Sequence, residues 1–279
     1  MHDHPQDEND VDGHKDYTHE CSQNIMNMSA TIIDSHCHLD FPKFNRDRDE
    51  TIQRARNAGV VEMITSGIDH KTNLSTLALA EQYDFIHPTL GLSPLVVSHY
   101  GDEVALDILT QLEANAHRAI AIGEAGMDYY HHTDEKEHEH QREVFRKVID
   151  IAQSADLPLV IHGRDAEADA LQMVQDLDRV IFHCYGGPLD TMQEITDAGY
   201  YISVSTLVCF SEHHQSLVEK LPLDRMLIET DSPYLSPRKG RNEPAYMVDS
   251  ISTIAQLRQM EKTEVAEITR KNTYRAFGM

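Results

Sequence analysis

The chain contains no tryptophan, only four cysteines and few positive charges. The cysteines stand at 21, 37, 184 and 209, with no CxxC pair. That scatter fits neither a secreted disulfide framework nor a zinc finger, so a reducing compartment is expected. No apolar run approaches the roughly 18 residues that a membrane helix needs. The N-terminus, MHDHPQDENDVDGHKDYTHE, lacks a basic segment followed by an apolar one and does not read as a signal peptide. The expected location is cytoplasmic. Lys+Arg is 24 against Asp+Glu 47, a net charge of −23. This excludes broad, non-specific nucleic-acid binding through a basic face, but not a small basic rim around an acidic, cation-holding site. The acidity also fits a high-salt cytosol, where charge is screened; loss of folding at low KCl would support that alternative.

What is present suffices for a large core. A chain of 279 residues with 40% apolar content is too long and too apolar for a stapled miniprotein or a disordered chain. Residues 1–28 differ from the rest. They hold seven acidic residues, one lysine and His2, His4, His14 and His19, with almost nothing apolar. Such a segment cannot offset its ordering entropy and is expected to be a disordered tail. Residues 29–279 are expected to form one domain.

From Thr31 onward, short β-branched runs alternate with longer amphipathic stretches. The strand candidates are TIIDSH, VVEMITSG, FIHPTLG, AIAIGE, PLVIH, RVIFH, YYISVS and RMLIETD. Helix candidates cover 47–58, 73–82, 103–116, 137–155, 166–177, 189–198 and 245–277, the last with a break near 262–263. Strands alternating with helices imply a parallel sheet. Eight such units at this length predict a (β/α)₈ barrel of the TIM type. Neither GxGxxG nor GxxxxGK[ST] follows the first strand, which removes the usual nucleotide-fold signatures.

Polar residues collect where these strands end. Strand one closes on Asp34-Ser35-His36-Cys37-His38, and alternation puts His36 and His38 on one face with Cys37 on the other. Strand four offers Glu124, strand five His162, strand six His183 and strand eight Asp231. Singly, each has an ordinary structural explanation as a rim hydrogen-bonder or a helix cap. In a barrel, however, the C-terminal strand ends open into one bowl. Four histidines and two carboxylates there are costly unless cations neutralise them. Six N/O ligands, one able to bridge, fit a pair of divalent ions such as Zn²⁺, Mn²⁺ or Mg²⁺. A thiolate-rich structural zinc site is not indicated. Cys37 and Cys184 are expected to turn outward and pack. Glu229 should share the face of Asp231, either orienting a ligand histidine or forming a buried ion pair.

In order and spacing, HCHLD, GEAGMDYY, HGRDA, HCYGG and ETDSPYL, followed by RNEPAY, resemble the TatD-like metal-dependent hydrolases of the amidohydrolase superfamily. The resemblance covers about residues 31–279. It implies that His36, His38 and Asp231 hold a first ion, that Glu124 bridges, and that His162 and His183 hold a second. It places Arg164 and the Arg241-Asn242-Glu243 segment at the substrate rim. The implied activity is hydrolysis of phosphodiester bonds in DNA, of the 3′–5′ exonuclease type, or in small phosphodiesters, by a monomer or small homo-oligomer. Asp231 would serve as general base, and the stretch Arg238 to Arg241 would offset phosphate charge or form an exposed loop. There are departures. GLSP puts Ser93 where the family usually has a histidine expected to touch substrate. HGRDA and HCYGG replace the commoner HSRDA and HCFSG. Two other readings remain. A small-molecule amidohydrolase or lactonase usually carries a lysine at the end of strand four, where this chain has Glu124. A non-catalytic scaffold barrel should have lost ligands, yet all six are present.

Overall fold

The structure, a computed structural model, describes residues 31–279; the expected tail over residues 1–28 lies outside them. Eight strands form one parallel sheet in sequence order: β1 (Ile32–Cys37), β2 (Val60–Ser66), β3 (Ile86–Leu92), β4 (Ala121–Asp128), β5 (Leu159–Arg164), β6 (Val180–Phe182), β7 (Tyr201–Val204) and β8 (Met226–Ile228). The helices between and after them are α1 (Arg48–Asn57), α2 (His70–Gln82), α3 (Pro94–Tyr100), α4 (Asp102–Asn115), α5 (Glu135–Ala155), α6 (Glu167–Met173), α7 (Leu189–Asp197), α8 (Glu212–Lys220), α9 (Met247–Arg258) and α10 (Lys262–Phe277). This is the (β/α)₈ barrel expected from the alternation.

Two apolar layers hold it. The outer layer lies between strands and helices and includes Met63, Ile122, Ile161, Phe182, Ile202 and Ile228. The inner one, filling the barrel, is small: Ile64, Ala121, Val160, Ile181 and Leu227, with Phe277 at the end of α10 packed against them. Helix boundaries follow local chemistry. Asp69 caps α2, accepting from Thr72 N–H at 2.7 Å, while the Thr72 hydroxyl takes the Asp69 N–H at 2.9 Å. Asp134 caps α5, which then buries Val144, Phe145, Val148, Ile149 and Ala152 along one stripe.

The seam between β8 and β1 is closed mainly beyond the end of β8. Asp231 N–H donates to His36 O (3.0 Å), and His38 N–H donates to Ser232 O (2.8 Å). Beneath them the buried Asp34 carboxyl group accepts from Thr230 N–H (2.9 Å), the Thr230 hydroxyl (2.6 Å) and His36 N–H (3.3 Å).

Strands β1 and β4 depart from simple alternation. Pairing slips between Asp34 and Cys37 on β1, and between Ile122 and Ala125 on β4. Ser35 Oγ lies 2.9 Å from Ser203 Oγ of β7, which is not a neighbour of β1, so both hydroxyls face the barrel interior. The slip then lets His36 face inward as well, directly after Ser35. Such bulges re-aim side chains at functional rims.

Candidate metal centre

Six expected residues meet at the C-terminal mouth of the barrel. His38 donates Nδ1–H to the Ser66 carbonyl at 2.9 Å, which turns Nε2 into the bowl. His36 Nε2 lies 3.3 Å from it, while His36 Nδ1 is 3.3 Å from the Ser66 hydroxyl. Glu124 Oε2 approaches His36 Nε2 at 3.3 Å and His38 Nε2 at 3.5 Å. Asp231 Oδ1 completes this half, 3.4 Å from His38 Nε2 and 3.9 Å from His36 Nε2. On the other side, Glu124 Oε1 is 3.2 Å from His162 Nδ1; His183 Nε2 lies 3.4 Å from that nitrogen and 3.8 Å from Glu124 Oε2. Ligand atoms about 2.0–2.1 Å from a tetrahedral cation stand roughly 3.4 Å apart, so these spacings fit cation ligands.

A further observation supports the fit. His183 Nδ1 and both Glu229 oxygens are buried without a hydrogen-bond partner, and Glu229 Oε1 is 3.5 Å from His183 Nδ1. An uncompensated buried carboxylate is costly unless positive charge lies close by. Glu229 thus faces a site histidine, as its spacing from Asp231 suggested.

The charges in the bowl are strongly coupled. Burial would raise the Glu124 carboxyl, but His183 and the hydrogen-bonding rings of His162 and His36 hold it well below the usual carboxylate range. Burial and the neighbouring His183 lower His36. Burial would also lower His38 and His162, yet their carboxylate partners dominate. Asp231 and Glu124 push His38 up to about 9, and Asp128 and Glu124 push His162 up to about 10. Both rings therefore carry protons at neutral pH, and cation uptake must displace them. Affinity for Zn²⁺ is expected to rise with pH, by about one to two orders of magnitude per unit between about pH 6 and 8. Chelator competition at stepped pH measures this, and a flat profile would contradict it.

Backbone packing sets the position of Glu124. A Cβ on Gly91 would lie 2.2 Å from Glu124 O and 2.4 Å from Glu124 N. Asn73, fully buried on α2, grips Gly91 from the other side: its Nδ2 donates to Gly91 O (2.9 Å) and its Oδ1 accepts Gly91 N–H (3.0 Å). Gly91→Ala should cost about 1–3 kcal/mol of stability, since neither backbone can retreat. It should also weaken cation binding through Glu124. Thermal melts with metal titration test this; an unchanged protein in both would refute the packing argument.

The remaining site expectations divide. Arg164 is exposed, with its guanidinium 4.1 Å over the Tyr130 ring. Arg241 is engaged elsewhere: it makes two 2.8 Å bonds to Asp47 and stacks 4.3 Å over Phe44, tying the segment after β8 to the loop after β1. Ser93 is buried at the start of α3, where its backbone N–H donates to Ile68 O at 3.0 Å. Arg238 pairs with Asp249 at 2.6 and 2.8 Å. Cys37 packs outward as expected, its thiol donating to Ile64 O at 3.3 Å. Cys184 does not. Strand β6 ends at Phe182, and Cys184 adopts a left-handed φ of 46°, so strand alternation no longer governs it. Burial and the nearby Asp231 and Glu229 push its thiol well above its ordinary range.

Sequence reasoning missed Asp128. Burial would raise its carboxyl, but hydrogen bonds from His162 and His131 hold it below the usual range. The available signal was period two: Glu124, Gly126 and Asp128 share the inward face of β4. Asn73 had no such signal, because a helical asparagine reveals its strand partner only after folding.

An eight-stranded barrel with imidazoles and carboxylates gathered at its C-terminal mouth is the architecture of the metal-dependent hydrolases. The chain belongs to the TatD related DNase family, whose profile matches residues 33–278. It is 39% identical to an uncharacterised metal-dependent hydrolase of Methanocaldococcus jannaschii, over 88% of this chain and 96% of that protein. It is 33% identical to the human deoxyribonuclease TATDN3, over 88% of this chain and 94% of that one. Among solved structures, YjjV, a TatD homologue from Escherichia coli, superposes with a TM-score of 0.81 at 29% identity, covering 89% of this chain and 98% of that chain. No described helix is long and apolar enough to cross a membrane.

Proposed function

We propose that this TatD-family hydrolase cleaves phosphodiester bonds at DNA ends, as an exonuclease of the 3′–5′ type, with two divalent cations, Zn²⁺, Mn²⁺ or Mg²⁺, in the bowl. The observation that carries this is the placement of Glu124 among all four histidines: Oε2 faces His36 and His38, with His183 at 3.8 Å, while Oε1 faces His162. His36, His38 and Asp231 would hold one cation and His162 and His183 the other, with Glu124 shared between them. Cations there supply Lewis acidity toward a phosphoryl oxygen and bring a water's pKa down toward about 7. Asp231, with its side chain 15% exposed against 9% for Glu124, is the carboxylate best placed to take the water's proton.

Features of the rim support a frayed or single-stranded end as substrate. Tyr130, Phe210 and Tyr234 follow β4, β7 and β8 and are 58%, 55% and 44% exposed. Exposed aromatics stack unpaired bases at about 1–3 kcal/mol each. Arg164 lies over Tyr130, and Lys43 Nζ is 4.4 Å from the Tyr234 ring centroid, so these two platforms have a cation for phosphate beside them. The net charge of −23 repels long duplexes.

Cleavage of single-stranded oligonucleotides, duplexes and lactones by the metal-loaded protein tests the reading. Single strands should be degraded fastest, and Tyr130→Ala should raise their KM roughly 5- to 100-fold. Binding of two ions without cleavage of either DNA form would defeat it, and lactone turnover would favour the amidohydrolase alternative.

A further inference from the structure

His162 enters the bowl through Nδ1, so its Nε2 must carry the proton and point away. Nε2 lies 3.1 Å from Asp128 Oδ2. Asp128 is fully buried, and it is itself gripped at two points by one residue. His131 N–H donates to Asp128 Oδ1 at 2.8 Å, and His131 Nδ1–H donates to Oδ2 at 2.9 Å. His131 is a rim residue, its side chain 44% exposed. A continuous hydrogen-bonded line thus runs from the surface through Asp128 to His162.

The loop that carries His131 is anchored independently of that ring. Tyr129 donates its hydroxyl to Asp169 at 2.9 Å and accepts from Arg142 at 2.9 Å. His138 stacks on Tyr129 at 3.8 Å and donates to His132 O at 2.6 Å. With the loop fixed this way, the His131 ring is not needed to hold the loop in place. Apart from an edge contact with the Tyr130 ring at 5.1 Å, its partner is the carboxylate that fixes the tautomer of His162. Asp128 can rotate about its terminal torsion, and rotation would withdraw Oδ2 from His162.

We propose that His131 is a positioning residue for the second half of the bowl: by clamping Asp128 it keeps His162 Nδ1 aimed at Glu124 and His183. The inference rests on the reading of the bowl as a two-cation site. It assigns His131 to cation binding, whereas neighbouring Tyr130 serves the substrate.

Zn²⁺ titration of the full-length protein against a chromophoric chelator tests it without recourse to turnover. The wild type should take up two ions. His131→Ala should weaken one of them by about tenfold, at the low end of the roughly 10- to 100-fold range for such outer partners, and leave the other unchanged. His131→Asn, whose amide nitrogen replaces Nδ1, should restore affinity to within about threefold of wild type. His131→Gln fills similar space but carries its amide one bond farther out, and should behave like His131→Ala. A His131→Ala protein that titrates like the wild type overturns the clamp while leaving the two-cation site intact. A wild type that takes up fewer than two ions overturns the site itself, and the clamp with it.

Discussion

Glu124→Gln is expected to lower phosphodiester hydrolysis on the order of 10⁴-fold, comparable to removing a member of a catalytic unit whose parts act together. The side chain is nearly isosteric, so the barrel should survive. What changes is charge and valence. Glu124 turns one oxygen toward His36 and His38 and the other toward His162. An amide keeps one acceptor, places two N–H donors at the other position and removes the negative charge shared by both halves. Both halves should lose affinity together, so metal analysis should show fewer than two ions per chain. Steady-state assays on bis-p-nitrophenyl phosphate under saturating metal read the rate. Activity within about tenfold of wild type would remove Glu124 from the centre.

The second large effect concerns stability. Asp34→Ala should cost about 3–5 kcal/mol, or roughly 6–15 °C in Tm. The carboxyl group, its pKa pushed up to about 8 by burial, accepts three hydrogen bonds, from Thr230 N–H, the Thr230 hydroxyl and His36 N–H. Alanine leaves these donors unpaired in a dry interior. The loss falls on the seam between β1 and β8, where His36 and His38 face Asp231. Cation affinity should therefore fall along with Tm. Asp34→Asn retains one acceptor and should lie between the two. A Tm drop under about 2 °C for Asp34→Ala would show that the seam is held by its backbone bonds alone.

Much of the molecule was legible from pattern. Short β-branched runs and amphipathic stretches gave eight strands close to where they occur, because period two and period 3.6 reflect burial on one face. Limits were less well read. The stretch over 166–177 shortens to α6 (Glu167–Met173), and β4 extends four residues past Glu124, through the Gly-containing AGMD. The helices α3 (Pro94–Tyr100) and α8 (Glu212–Lys220) were not singled out; α3 is brief and opens on Pro94.

The order of polar residues along the chain was enough to specify eight strands and to mark which strand ends carry imidazole or carboxylate, because strand periodicity and ligand chemistry are both local. Only the tertiary structure decided which faces those side chains take. The slips in β1 and β4 turn His36 and Glu124 inward out of phase with the residues before them, the left-handed turn at Cys184 takes it out of strand alternation, and Asp47 holds Arg241 in an ion pair. Each outcome depends on pairing or packing against a partner distant in sequence, and no local period records such a partner.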